Sequence, residues 1–124
     1  MLKKPLFSGL ISGVFLGVIL SLAGFLIGVR SLGFPEIEIP FLFLGSLVIA
    51  LIVGFVYHFT LKFLPSKNNI IKAILIWIIV WILVDLIPGI FMNTMPLMGM
   101  GIHLIANTTT GFILGYFYEN KKWS

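Results

Sequence analysis

Four long apolar runs separated by short breaks limit what this chain can become. They extend from Leu6 to Val29, from Phe41 to Leu64, from Ile70 to about Ile87 and from about Met98 to Tyr118. A helix needs about 20 apolar residues to cross a bilayer, so each run is of spanning length or close to it, and 124 residues leave no room for a separate soluble domain. Composition agrees. Hydrophobic residues make up 60% of the chain and charged residues 10%, with a mean hydropathy of +1.17, whereas a soluble domain carries about a quarter charged residues. The expected fold class is therefore all-α: a polytopic membrane protein of one domain over residues 1–124, with four transmembrane helices near 6–29, 41–64, 70–87 and 98–118.

The basic residues report orientation. Lys3 and Lys4 precede the first run, Lys62, Lys67 and Lys72 surround the second break, and Lys121 and Lys122 follow the fourth run, seven in all on one side. The other side has Arg30 alone. The excess of Lys and Arg on cytoplasmic loops then places both termini inside the cell, N-in and C-in, with the helices in an antiparallel bundle. Tyr57, Tyr116, Tyr118 and Trp123 fall near the inner interface, where amphipathic rings prefer to sit. The location implied is a cell membrane, most simply the prokaryotic cytoplasmic membrane. The +4 charge and pI near 9.6 form no basic patch interleaved with aromatics, so nucleic acid is not an expected partner. Lys3, Lys4 and the sequence Ser21-Leu22-Ala23 imitate a cleavable leader, but the apolar run is longer than a leader's core, and the segment is expected to be retained.

Association of helices in lipid depends on close packing and hydrogen bonds, which small residues permit. Gly9, Gly13, Gly17 and Ser21 recur every four residues on the first helix; Ser46, Ala50 and Gly54 do so on the second, and Gly99, His103, Asn107, Gly111 and Gly115 on the fourth. Such rows make slanted ridges suited to crossing helices. A path lined by these glycines is the alternative to plain packing.

Ionisable residues at membrane depth are costly, roughly 2.5–3.5 kcal/mol for Asp at a helix centre and less toward the interface. Asp85 interrupts WIIVWILVDLIPGIF, sharing a helical face with Trp77 and Trp81. At 1.5 Å per residue it lies about 10 Å outward of the midplane, and His103 about 7 Å outward on the next helix. Two readings stand. Asp85 reaches the outer headgroups or caps a helix end; or it pairs with His103, a couple able to pass a proton or hold a cation, with Asn107 one turn deeper. Asn107 needs partners that lipid lacks, whereas Thr108, Thr109 and Thr110 satisfy themselves on their own helix. His58 and Lys62 at the inner end are expected to snorkel.

Met92, Met95, Met98 and Met100 precede His103, and thioether with imidazole suits Cu(I); methionine as an adaptable filler explains the same cluster. The PEIEIP segment around Glu36 and Glu38 reads as an extended lid or partner contact. The absence of cysteine excludes disulfides, thiolate metal sites and thiol nucleophiles. Phosphate-loop, HExxH and GxSxG motifs are missing too, so neither an enzyme nor a cofactor is expected.

The Trp and Pro of WILVDLIPGIF and the closing TTTGFILGYFYEN, with Gly111 and Gly115, resemble small four-helix membrane proteins of the YqhR type. The series His103, Asn107, Gly111, Gly115 is similar to the closing helix of YagU-like families, with Asn107 where a glycine is expected. The resemblance implies the four-span layout and brings neither substrate nor catalytic residue. The function expected is an accessory or structural membrane protein that binds itself or other membrane subunits. Its rival is a minimal proton- or cation-linked transporter or channel using Asp85, His103 and Asn107.

Overall fold

A computed structural model describes residues 3–28, 32, 38–64, 68–92 and 97–118, with Met92 described by its backbone alone. Arg30, Glu36, Lys67, Met95, Lys121, Lys122 and Trp123 lie outside these residues. Every element among the described residues is helical. Four helices are long and apolar enough to cross a membrane.

Helix α1 covers Lys3–Ile27. It stops at Gly28, whose φ of 90° suits a residue without Cβ and whose amide donates to the Gly24 carbonyl at 2.9 Å, a left-handed C-terminal cap. Helix α2 covers Ile39–Thr60 and tightens into a 3₁₀ turn over Leu61–Phe63. Pro40 sits in its first turn, where a missing N–H costs nothing. Helix α3, residues 69–92, is capped by the Asn68 side chain, which accepts from the amides of Ile70 and Ile71. Helix α4 covers Leu97–Tyr118.

Helix α3 departs from expectation. Pro88 and Gly89 predict an end near Ile87, yet the chain stays helical to Met92. A proline in a helix removes the bond to residue i−4 and drives its ring against that carbonyl, here that of Val84. The chain accommodates Pro88 by widening beforehand: Asn69–Val80 is α-helical, Trp81–Leu86 forms a π-helical turn, and Ile87–Met92 is α-helical again. The Ile87 amide accordingly bonds to the Ile82 carbonyl, five residues back. Such π-bulges are rare and cluster at functional sites.

The small-residue ridges lie inside the chain. A Cβ added to Gly9 would stand 3.3 Å from the Ala50 oxygen, one on Gly13 3.1 Å from the Leu47 Cα, and one on Gly17 2.6 Å from the Phe43 ring. As the α1 number rises, its α2 partner falls. Gly54 returns the contact, its added Cβ 3.0 Å from the Pro5 oxygen. The α4 row meets α3 still more closely: an added Cβ on Gly111 or Gly115 would lie 2.7 Å from the Ile74 Cα and 2.5 Å from the Ile70 Cα. Gly99, His103, Asn107, Gly111 and Gly115 are all buried. Ser21 ends the α1 row differently, its hydroxyl oxygen buried and without a hydrogen-bond partner among the described residues.

These ridges build two helix pairs, α1 on α2 and α3 on α4, joined chiefly where α1 packs on α4; α2 and α3 barely touch. Leu16, Leu20, Ala50, Val53, Ala73, Ile76, Trp77, Ala106 and Leu114 form the shared core. The hydroxyls of Ser12, Ser46, Thr108, Thr109 and Thr110 donate to carbonyls three or four residues back, at 2.7–3.0 Å. This removes their need for partners on other helices. Large apolar side chains cover the outside, Phe25, Phe91 and Leu97 being more than three-quarters exposed. Such a surface would aggregate in water and is ordinary against lipid.

Candidate functional site

The polar residues of α3 and α4 converge at the end of the bundle that holds Leu32 and the start of α4. Asp85 sits in the π-helical turn of α3. Its Oδ2 lies 3.8 Å from His103 Nδ1, an ion-pair distance longer than a direct hydrogen bond. The two side chains are 14% and 3% exposed. Across the His103 ring, Nε2 is 2.8 Å from the Leu32 carbonyl oxygen. Because a carbonyl only accepts, Nε2 carries the hydrogen and donates it. The histidine thereby pins the first connection to α4 and holds its other nitrogen toward Asp85.

Asn107, one turn further along α4, is buried, and its amide nitrogen donates to the Trp77 carbonyl at 3.4 Å. Trp81 makes the reciprocal tie, its indole nitrogen donating to the Met100 carbonyl at 3.1 Å. The shared face expected for Trp77, Trp81 and Asp85 is therefore split. The π-helical turn begins at Trp81, so Trp77 and Asp85 face one cavity while Trp81 is turned to the start of α4.

That cavity, about 160 Å³, lies between the two helix pairs. Leu16 and Leu20 of α1 line it, with Phe41, Leu42, Gly45, Ser46 and Ile49 of α2, Trp77, Val80, Val84 and Asp85 of α3, and His103 and Asn107 of α4. Its exposed rim is made by Phe41, Gly45, Ile49 and Val84, so it opens sideways between α2 and α3. The Trp77 ring is 1% exposed, and its indole N–H has no hydrogen-bond partner among the described residues. Asp85, His103 and Asn107 thus share one cavity, mostly apolar, with an opening toward the lipid side.

The methionine cluster is not gathered in the same way. Met98 is 57% exposed whereas His103 is buried, and the Met100 carbonyl is engaged by Trp81. Met95 and the Met92 side chain lie outside the described residues. Among the described residues, no three His, Cys, Asp or Glu side chains group as metal ligands.

The opposite end of the bundle holds a second polar cluster. His58 Nδ1 shares a 2.6 Å hydrogen bond with the Tyr118 hydroxyl, Tyr57 donates to the Asn69 carbonyl at 2.8 Å, and the Lys4 ammonium lies 5.5 Å from the Tyr118 ring centre. His58 is thus tied to α4 instead of snorkelling. Tyr57 and Tyr118 stack edge to face, 5.1 Å between centroids, both buried, and close the bundle at that end. Sequence reasoning missed this closure, the Leu32 acceptor and the buried Trp77 indole N–H that has no partner among the described residues. The spacing of His58 and Tyr57 at the end of an apolar run gave the only available signal, and it fits an interfacial belt equally well.

The fold therefore presents four helices long and apolar enough to cross a membrane, the layout of a multi-pass membrane protein. Comparison with protein-family models, with curated proteins and with solved structures finds no match to the chain.

Proposed function

We propose that the chain is a non-catalytic integral membrane protein of accessory or structural type, acting by association with itself or with other membrane subunits. In this reading the four helices form an antiparallel bundle with both termini in the cytoplasm. The falling contact register of α1 against α2 and of α4 against α3 supports the antiparallel arrangement. The seven-to-one distribution of basic residues supports the orientation.

One observation carries the proposal: apart from Asp85, which faces the cavity, the small and polar groups that could line a route through the bundle are engaged in holding its helices together. The glycine ridges are in backbone contact, Asn107 and Trp81 tie α3 to α4, and Tyr57, His58 and Tyr118 close the end away from Asp85. What remains outward is apolar helix surface, suited to lipid and to other helices. The test is stoichiometry in nanodiscs cut directly from the native membrane, read by single-molecule photobleaching and mass analysis. A fixed number of copies, or a fixed complex with another membrane chain, is expected; the chain found alone as a monomer in every disc would overturn the reading.

A second reading, a proton- or cation-linked transporter or channel, is favoured by one specific observation. Asp85 and His103 lie 3.8 Å apart in a cavity that Asn107 also lines. It requires an inner half of the path, which a second copy or a rearrangement of Tyr57 and Tyr118 would have to supply.

A further inference from the structure

The two ends of the bundle carry opposite charge. The contacts of Lys4 with Tyr118, of His58 with Tyr118 and of Tyr57 with Asn69 gather the start of α1, the end of α2, the start of α3 and the end of α4 at one end. Lys3 and Lys4 stand in the first turn of α1, Lys62 in the 3₁₀ turn after α2, and Lys72 in the first turn of α3. In the sequence, Lys67 falls between Leu64 and Asn68, and Glu119, Lys121 and Lys122 follow Tyr118. Seven lysines therefore belong to this end against one carboxylate, and even full pairing of Glu119 leaves six unmatched. At the other end the balance reverses, with Glu36, Glu38 and Asp85 against Arg30.

The lysines are placed by rings and by helix ends. The half-buried Lys4 holds its ammonium 5.5 Å from the Tyr118 ring centre, and the exposed Lys62 holds its own 5.1 Å from that of Phe63. A ring attracts the cation without accepting its hydrogens as a carboxylate would, so N–H donors remain for an oxyanion. Among the described residues, none of Lys3, Lys4, Lys62 and Lys72 pairs with a carboxylate. The exposed Phe59, Phe63 and Tyr116 share this end, and aromatic rings on a spanning helix settle at headgroup level. The ammonium groups then stand where lipid phosphates lie. The N-terminal, positive ends of α1 and α3 add to the same field.

We propose that this end of the bundle is a binding surface for anionic phospholipid headgroups, whose phosphodiester oxygens accept hydrogen bonds from Lys4 and Lys62 while Lys3 and Lys72 add charge. The surface serves a lone chain or a complex equally, and needs only that the four helices span the bilayer. A zwitterionic lipid brings its own cation to the lysines and is disfavoured. A soluble phosphate lacks the acyl chains that lie against Phe59, Phe63 and Tyr116, so the occupant is a lipid of the bilayer. One lysine beside an anionic headgroup favours it roughly fivefold. The preference falls with salt, since the screening length shrinks from about 10 Å at 0.1 M to about 3 Å at 1 M.

The experiment uses the full chain in phosphatidylcholine liposomes with a trace of phosphatidylglycerol or phosphatidylcholine spin-labelled near the end of one acyl chain. Electron paramagnetic resonance separates lipid slowed at the protein surface from bulk lipid. Slowed phosphatidylcholine reports insertion by itself, so a chain that fails to span is told apart from one without headgroup preference. Phosphatidylglycerol should be enriched roughly fivefold over phosphatidylcholine in the slowed fraction, and less so at high salt. The combined variant Lys3→Gln, Lys4→Gln, Lys62→Gln and Lys72→Gln changes only exposed or half-buried side chains. It should keep its slowed phosphatidylcholine and move the enrichment toward parity, whereas Arg30→Gln should leave the enrichment unchanged. Equal slowing of both lipids by the wild-type chain, undiminished enrichment in the combined variant, or an equal loss in Arg30→Gln would overturn the proposal. Displacement of phosphatidylglycerol by millimolar inorganic phosphate at matched ionic strength would overturn it too, assigning the lysines to a soluble anion.

Discussion

At the scale of single residues, stability depends on where a Cβ or a hydrogen bond cannot be exchanged. Gly111→Ala and Gly115→Ala would put a methyl group 2.7 and 2.5 Å from backbone Cα atoms of α3. Backbone cannot move aside as a side-chain end does, so each should cost about 1–3 kcal/mol. Steric-trap unfolding in bicelles would measure it. Gly45→Ala is the internal control; its Cβ meets nothing within 4 Å, and stability should stay within about 0.5 kcal/mol of wild type or rise. Asn107→Leu removes the bond to the Trp77 carbonyl and should cost about 0.6–1.7 kcal/mol, the range found for interhelical hydrogen bonds in membranes. Thr109→Val should cost much less in the same assay, because the exposed Thr109 hydroxyl serves only its own helix. A loss at Thr109 equal to that at Asn107 would show that the buried amide has no special part in joining α3 to α4.

At the scale of elements, the four apolar runs were legible because hydrophobicity and length are local properties, and the helices begin and end within a few residues of the composition breaks. The exception is α3. Pro88 reads as a stop only if the preceding turn is α-helical, and the π-helical turn over Trp81–Leu86 depends on packing that no window of sequence contains. The site was legible in part. Helix rise alone puts Asp85 and His103 at similar depths, and the side chains stand 3.8 Å apart. The cavity was not legible, because it exists only where α2 and α3 fail to meet, a matter of how the two helix pairs are joined. The Leu32 contact was also hidden, since nothing local marks one carbonyl of the first connection as the acceptor for His103. Trp81 provides the test at this scale. Trp81→Phe keeps the ring and loses the bond to the Met100 carbonyl, worth about 0.5–1.5 kcal/mol. Amide exchange in the first turns of α4 should speed up roughly two- to twelvefold, while exchange around Gly111 and Gly115 stays unchanged. Uniform acceleration along α4 would mean that the helix does not open from that end.

At the scale of the whole molecule, orientation and closure are the two properties on which the proposed function rests. The chain has no cysteine, so single cysteines report their side of the membrane without background. A membrane-impermeant maleimide applied to intact cells should label Gly28→Cys at the end of α1 and spare Lys62→Cys in the 3₁₀ turn after α2; the reverse pattern would invert the topology. Closure is the central claim. Interior glycines packed against neighbouring helices and a tyrosine pair at the far end separate the Asp85–His103 cavity from that end among the described residues. Purified protein in liposomes loaded with a pH-sensitive dye, under a potassium diffusion potential, tests this most directly. The account predicts proton entry no faster than in protein-free liposomes, for wild type and Asp85→Asn alike. A flux carried by the wild-type chain and lost in Asp85→Asn would contradict it and make Asp85 part of a path across the membrane.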